Sequence, residues 1–440
     1  RPPEAFRPRE LASVAWAWGR LSFRDQRLLR PLCARLRAQL PECRPQDISS
    51  AVYGLARLRA ECPELLQALC EHAPGRLGEF GRQELVNTVY ALGLLRFRHE
   101  GFLEAAAGRA EARAAEMGEQ EISNLAYSLA LLTFRHEGLL EALCTSASAR
   151  LAEFKPQGVS NTVYALGLLH FGHAGLLRAL RPELPPRLGA FTPQGISNIT
   201  YALGLLRCED GALLEPLCGS LQQRLGECLP QHISNTVYAL GLIGYRHEGL
   251  LLAVSAHMPG RLSEFKAQEI SNTLYAYGHL GFANNDFLQA ICDQLPSRLA
   301  EFTEQNVSNT VHALGQLCFR HDALMQAVCA HVPGRLAGYT PQGIANVLHA
   351  FGMLYFRHPA FLQAVCAHVP GRLPEFDEQN ISNTVHALGR LHFRDDAMLQ
   401  AVCAHVPARA GEFKVPGLLG TLCGLALLLS PGWRPPPRGR

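Results

Sequence analysis

Nine asparagines recur at a fixed interval: Asn87, Asn124, Asn161, Asn198, Asn235, Asn272, Asn309, Asn346 and Asn383, each 37 residues after the last. A side-chain amide offers both an acceptor and two donors, without charge. A column of such groups can read a modular ligand, one repeat per element, as helical repeats read unpaired bases. It can equally form a structural ladder in which each amide bonds the backbone of the next helix. One amide can also divide its two ends between the jobs.

The asparagines have companions. Numbering each repeat from its glutamine (Gln305 for Asn309), the asparagine is position 5. Position 2 varies and is mostly polar: Glu84, Glu121, His232, Glu269, Asn306, Asn380. Position 12 reads Arg20, Arg57, His279, Gln316 and Arg390 among leucines and Met353. Position 9 is always Ala, Gly or Ser. On a helix turning about 100° per residue, positions 2, 5, 9 and 12 fall within about 80° of arc. They are the predicted ligand face. Positions 4, 8 and 11 (Ser308, His312, Gly315) are the predicted packing face between repeats.

Arginines form two further columns. At position 16, Arg98, Arg135, Arg246, Arg320, Arg357 and Arg394 are candidate phosphate contacts. Acids beside them (Glu100, Glu137, Glu248, Asp322) also suit a solvated turn. Position 31 is Arg from Arg76 to Arg409, usually with Glu three residues on, the spacing of a helical ion pair. Position 8 runs aromatic from Trp16 to Tyr275, then becomes His312, His349 and His386. It is a packing stripe or a base-stacking platform. Cys-x-His pairs such as Cys329/His331 resemble metal ligands, but helix residues two apart diverge by about 200°. No metal or other cofactor is expected. Eight cysteines share position 25, as small buried thiols of a reducing, intracellular compartment. With no phosphate loop, nucleophile elbow or acid–base cluster outside the columns, no catalysis is expected.

Apolar positions 3, 7 and 10 place all this on a helix A of about fourteen residues, often opened by proline. Helix B follows a loop such as "FRHE", and a proline near position 29 should kink it or start a short extra turn. Position 11 is Gly or Ala in every repeat, which points to close approach of stacked backbones. The predicted fold is all-α: a right-handed α-solenoid superhelix of about twelve helix pairs. It covers residues 1–440 as one domain, with degenerate capping repeats at 8–44 and 415–430 and a disordered Pro/Arg tail at 431–440. The chain of 440 residues is 48% hydrophobic and 18% charged, enough apolar residue for a long core. Its net charge of +3 excludes a wholesale nucleic-acid footprint, so any basic surface is local. No apolar run is long enough for a membrane span, and a monomer is expected.

The repeat Q-x-[IV]-S-N-T-x-[YH]-A-L-G resembles the octotricopeptide repeat family of organellar RNA-binding proteins. It is also similar to the helical repeats of FAST-kinase-like proteins and of RNA-editing substrate-binding complexes. The likeness covers about residues 8–430, and Trp16 and Trp18 in "SVAWAWG" match its tryptophan-bearing version. The period is 37 residues, against about 38 in the family. The resemblance implies sequence-selective binding of single-stranded RNA, about ten nucleotides at one per repeat. It implies work in RNA stability, processing, editing or translation in a chloroplast or mitochondrion, with other proteins of an RNA-processing complex. The other reading of the columns is a protein-binding scaffold of the armadillo or HEAT type. Near-neutral charge and acidic position 2 in the early repeats support it.

Overall fold

The computed structural model describes residues 6–429; the proline- and arginine-rich tail lies outside them. Contact density divides the chain into two compact halves, Arg1–Ser220 and Leu221–Arg440. Both are all-helical. The first carries α1 (Pro8–Leu21), α2 (Gln26–Ala38), α3 (Pro45–Arg57), α4 (Pro63–His72), α5 (Arg82–Leu95), α6 (Glu100–Glu111), α7 (Glu119–Leu131), α8 (Glu137–Ala149), α9 (Pro156–Leu168), α10 (Ala174–Glu183) and α11 (Pro193–Leu205). The boundary falls in α12 (Gly211–Gln223). The second half continues with α13 (Pro230–Ile243), α14 (Glu248–His257), α15 (Ala267–His279), α16 (Asn285–Gln294), α17 (Glu304–Gln316), α18 (Asp322–His331), α19 (Pro341–Leu354), α20 (Pro359–His368), α21 (Glu378–Arg390), α22 (Asp396–Ala408) and α23 (Val415–Leu429). Odd-numbered helices are the A helices of the repeat and even-numbered ones the B helices. The fold is an all-α solenoid of stacked helix pairs.

Repeats one to eleven also close with a short 3-10 turn, and where position 29 is proline that proline stands at its start, as at Pro259–Glu264, Pro333–Gly338 and Pro370–Glu375. Proline sets φ for the turn's start and cannot donate the next helical bond. Pro407 is the exception and stays inside α22. The aromatic that ends the turn (Phe265, Phe302, Tyr339, Phe376) is almost fully buried.

Successive A helices within a half lie side by side, and their contact is backbone on backbone. A Cβ on Gly241 would stand 2.8 Å from the Cα of Ala276, one on Gly278 2.9 Å from that of Ala313, and one on Gly315 2.8 Å from that of Ala350. In the first half the same pairing joins Gly93 to Ser128 and Gly167 to Ala202. The position-11 glycine of one repeat thus meets the position-9 residue of the next. From the second repeat on, position 9 is buried (Ala165, Ala202, Ala276, Ala313 and Ala350 are all at 0% exposure) and is therefore not open to a ligand. Helix geometry gives the reason. Positions 2 and 9 lie on one flank of helix A and positions 4 and 11 on the other, roughly 160–180° apart, so each flank serves one neighbour.

Every A helix from α1 to α21 ends on a left-handed residue at position 14. Two of these are glycines, Gly244 and Gly281, at ease with φ of 82° and 58°. The others include Arg96, Thr133, His170, Cys318, Tyr355 and His392, at φ near 50°. Left-handed backbone disfavours L side chains by about 1 kcal/mol or more, so this bend is imposed by the packing.

The seam gives a stability test. Gly315→Val forces a branched side chain into the Ala350 backbone and should cost about 2 kcal/mol in urea or thermal unfolding. Gly334→Ala, where a Cβ meets nothing within 4 Å, should change stability by less than about 0.5 kcal/mol.

Candidate nucleic-acid interface

With both flanks occupied, helix A has one stripe left. Positions 1, 5, 8 and 12 fall within about 60° of arc between the flanks. In the structure they are exposed or half-buried: Gln305, Asn309, His312 and Gln316 on α17, or Gln157, Asn161, Tyr164 and Leu168 on α9. The open stripe is therefore rotated from the predicted ligand face. It takes in the glutamine and aromatic columns and leaves out positions 2 and 9.

Position 2 is used for capping. The side chains of Glu121, Glu269, His232 and Asn306 accept hydrogen bonds from the backbone N–H three residues before, at 2.8–3.2 Å. The Glu84 carboxylate folds back over Gly81. Asn306 and Asn380 are buried at 8% and 7% exposure, and Asn306 donates to the Ser271 hydroxyl of the preceding repeat at 3.0 Å. The side chains of Glu121, His232, Glu269 and Asn306 are thus committed to their own helix ends, which is the capping-box pattern.

The asparagine column is different. Asn87, Asn124, Asn161, Asn198, Asn235, Asn272, Asn309, Asn346 and Asn383 are all half-buried. None of their amides bonds a protein group among the described residues. The ladder is absent, and the amides stay open toward the stripe.

The position-8 rings stack along each half. Tyr53 and Tyr90 lie 6.3 Å apart, Tyr164 and Tyr201 6.3 Å, Tyr238 and Tyr275 5.8 Å, His312 and His349 6.1 Å. At position 12, the exposed His279 stacks on Tyr275 at 4.1 Å, and the Arg390 guanidinium lies 4.8 Å over Tyr355. The Gln316 carbonyl oxygen is buried without a partner. In the second half Tyr238, Tyr275, His279, His312, Gln316 and His349 line a trough of about 920 Å³. Burial depresses His312 to about 4, with His349 and His279 adding to the effect, and burial also lowers His349 and His386. The three imidazoles are neutral at pH 7.

The arginine columns hold the stack together. Arg98 pairs with Glu100 and donates to the carbonyls of Leu132 and Thr133 in the next repeat. Arg135 does the same with Glu137, Leu169 and His170, and Arg320 with Asp322 and Tyr355. Each donates to the carbonyl of a left-handed position-14 residue, capping the following A helix at its negative end. Arg246 pairs with Glu248 and Arg394 with Asp396. Arg357 alone of these six is exposed with no partner among the described residues, because Pro359 stands where the acid would be. Arg98, Arg135 and Arg320 are therefore staples between repeats, whereas Arg246 and Arg394 pair within their own loops. Position 31 reaches the other way: Arg298 donates to Leu262 and Phe265 of the preceding repeat at 2.8 Å and pairs with Glu301.

Two further roles had no clear sequence signal. His99, His136, His173, His247, His321 and His358 are N-caps of B helices, each accepting the N–H three residues on through Nδ1. His257, His331, His368 and His405 hydrogen-bond the position-31 arginine four residues later, which accounts for them without a metal. The position-25 cysteines are buried apart from Cys403, and burial pushes Cys144, Cys292 and Cys329 up to about 12.

The sequence matches the family described as RNA-editing substrate-binding complex 6 protein over residues 4–137 and 186–396. This is the editing-complex side of the resemblance; the octotricopeptide family is not the one matched. No curated protein matches it. Among solved structures it is similar to a homology model of the full-length AP-3 complex in an intermediate open conformation, at 11% identity, covering 92% of this chain and 77% of that one, with a TM-score of 0.39. It is also similar to the crystal structure of the pentatricopeptide repeat protein PPR10 from maize, at 13% identity, covering 96% and 76%, with a TM-score of 0.26.

Arg298→Ala orphans two carbonyls and should destabilise by about 2 kcal/mol, whereas Arg357→Ala should stay within about 0.5 kcal/mol. The imidazoles predict a pH effect. Their folded pKa values lie below the unfolded 6.5, so the unfolded chain binds more protons in between. The stability they confer is present above 6.5 and lost as pH falls toward 4. Melting curves at about pH 7.5 and about pH 5 should show a drop that His312→Tyr/His349→Tyr/His386→Tyr reduces.

Proposed function

Because the chain belongs to the RNA-editing substrate-binding complex 6 protein family, we propose that it binds single-stranded RNA along the glutamine–asparagine–aromatic stripe of its A helices. It does so within an RNA-editing assembly, as a single chain and without a chemical step of its own. Of the two organelles that the repeat resemblance suggests, membership of an RNA-editing family favours the mitochondrion over the chloroplast. The observation that carries the reading is the column of nine amides, one at the same place on each A helix, with no protein partner among the described residues. An amide presents donor and acceptor side by side, which suits the edge of an unpaired base.

Ring spacing sets how RNA would lie. The rungs are 5.8–6.3 Å apart, nearly twice the rise of about 3.4 Å per nucleotide in a stacked strand. A strand in register must be unstacked, one base per repeat, with about ten nucleotides engaged. The gap is too narrow for a ring to slot fully between rungs, so bases rest across their exposed edges and meet the amides.

The stripe is almost uncharged, and most arginines that could have met phosphates are engaged elsewhere. Affinity then comes from bases and little from counterion release. In filter binding or anisotropy, the slope of log K against log salt should be shallower than about −2, that is, fewer than about three phosphates neutralised. Asn272→Ala, Asn309→Ala and Asn346→Ala together should weaken RNA binding at least about tenfold with the melting temperature unchanged. Unchanged affinity in the folded triple variant would remove this reading.

The uncharged stripe also favours a second reading, a scaffold that binds protein segments of the assembly through the same face. Crosslinking followed by RNA sequencing in cells separates the two: a scaffold recovers protein neighbours and no RNA on the stripe.

A further inference from the structure

The stripe is not chemically uniform along the chain. In the repeats after the first two, which carry Arg20 and Arg57 at position 12, the aromatic position is tyrosine (Tyr90, Tyr127, Tyr164) and position 12 is leucine (Leu94, Leu131, Leu168). Beyond their open asparagines, these repeats offer rings and methyl groups. In the second half Tyr238, Tyr275 and Leu242 still keep that pattern, but from His279 on position 12 is His279, Gln316, Met353 or Arg390, and from His312 on the rings are imidazoles.

The second-half trough also holds unmet hydrogen-bonding capacity. His312 Nδ1, His349 Nδ1 and Gln316 Oε1 are buried from solvent with no protein partner, and all three residues line it beside Asn309 and Asn346. A polar atom shut away from water is unfavourable until something bonds it. Because burial keeps these imidazoles neutral, each offers one donor and one acceptor. That is the equipment of a base reader; holding phosphate would call for a cation.

We propose that sequence selectivity resides in this trough, where Asn309, His312, Gln316, Asn346 and His349 take the hydrogen-bonding edges of unpaired nucleobases, while the tyrosine–leucine stripe of the first half holds any base by stacking. The inference rests on the RNA reading above and adds where discrimination sits. Stacking tolerates every base because every base has a π-face, whereas a buried polar atom rejects a base that leaves it unpaired.

The test uses the full chain and unstructured twelve-nucleotide oligo(A), oligo(U) and oligo(C), with dissociation constants read by fluorescence anisotropy at one salt concentration and neutral pH. The wild type should spread the three affinities by at least about tenfold. His312→Tyr with Gln316→Leu gives repeat 9 the first-half pattern and should shrink the spread to within about threefold. Gln316→Met, with the same reach and no amide, should narrow it in the same direction and serves if the double variant melts early. Tyr164→Leu should weaken all three by one common factor. A spread that survives both trough variants, or that Tyr164→Leu narrows, overturns the proposal. A wild type that binds all three equally overturns it and leaves the RNA reading standing. A wild type that binds none overturns both.

Discussion

One contact, a glycine of one A helix against the backbone of the next, sets the terms for everything else. Helices that touch without side chains between them sit near the minimum separation that backbones allow. That spacing puts the position-8 rings about 6 Å apart. It closes both flanks of helix A and leaves one narrow stripe to face a ligand. It also denies the interface most of the apolar side chains that would normally hold it, and the arginine staples make up the difference with charge-assisted bonds to carbonyls.

Sequence patterning revealed this architecture further than it revealed the site. The period, the A helix with its proline start, and the extra turn after Pro259 or Pro333 are local signals, and local signals survive without coordinates. The rotation of the ligand face was not legible. Small residues at positions 9 and 11 mark two seams, one on each side, and reading them as one seam and one ligand groove turns the face by a fraction of a turn. Side chains that act on the neighbouring repeat were equally hidden. Nothing near Arg320 in the sequence says that its guanidinium reaches Tyr355, thirty-five residues on. Histidine as an N-cap, at His136 or His321, lies outside the usual Ser, Thr, Asp and Asn preference. The left-handed bends at Thr133 and Cys318 lack the glycine that ordinarily announces them.

The asparagine column shows why a partner count matters more than residue type. Asn306 and Asn309 stand three residues apart on one helix. One is spent on its N-cap and on Ser271, and the other has nothing to bond. Sequence alone placed both on the ligand face. Only the second has hydrogen-bonding capacity left for something outside the chain, and the same distinction holds between the stapled Arg320 and the unpaired Arg357.

The two arginine columns have one more consequence. Arg135 reaches forward into the following repeat, and Arg298 reaches back into the preceding one. Within a half, a cut between repeats joined by both columns leaves neither side whole, and a cut one full period away breaks the corresponding bonds wherever both arginines are stapled. The array therefore has a length quantum with no privileged phase. Copying or losing any 37-residue window, wherever it begins, rejoins each staple to an equivalent carbonyl. A gain or loss of any other length strands a guanidinium on one side and carbonyls on the other. An uninterrupted period across so many repeats is what such commensurate growth leaves behind.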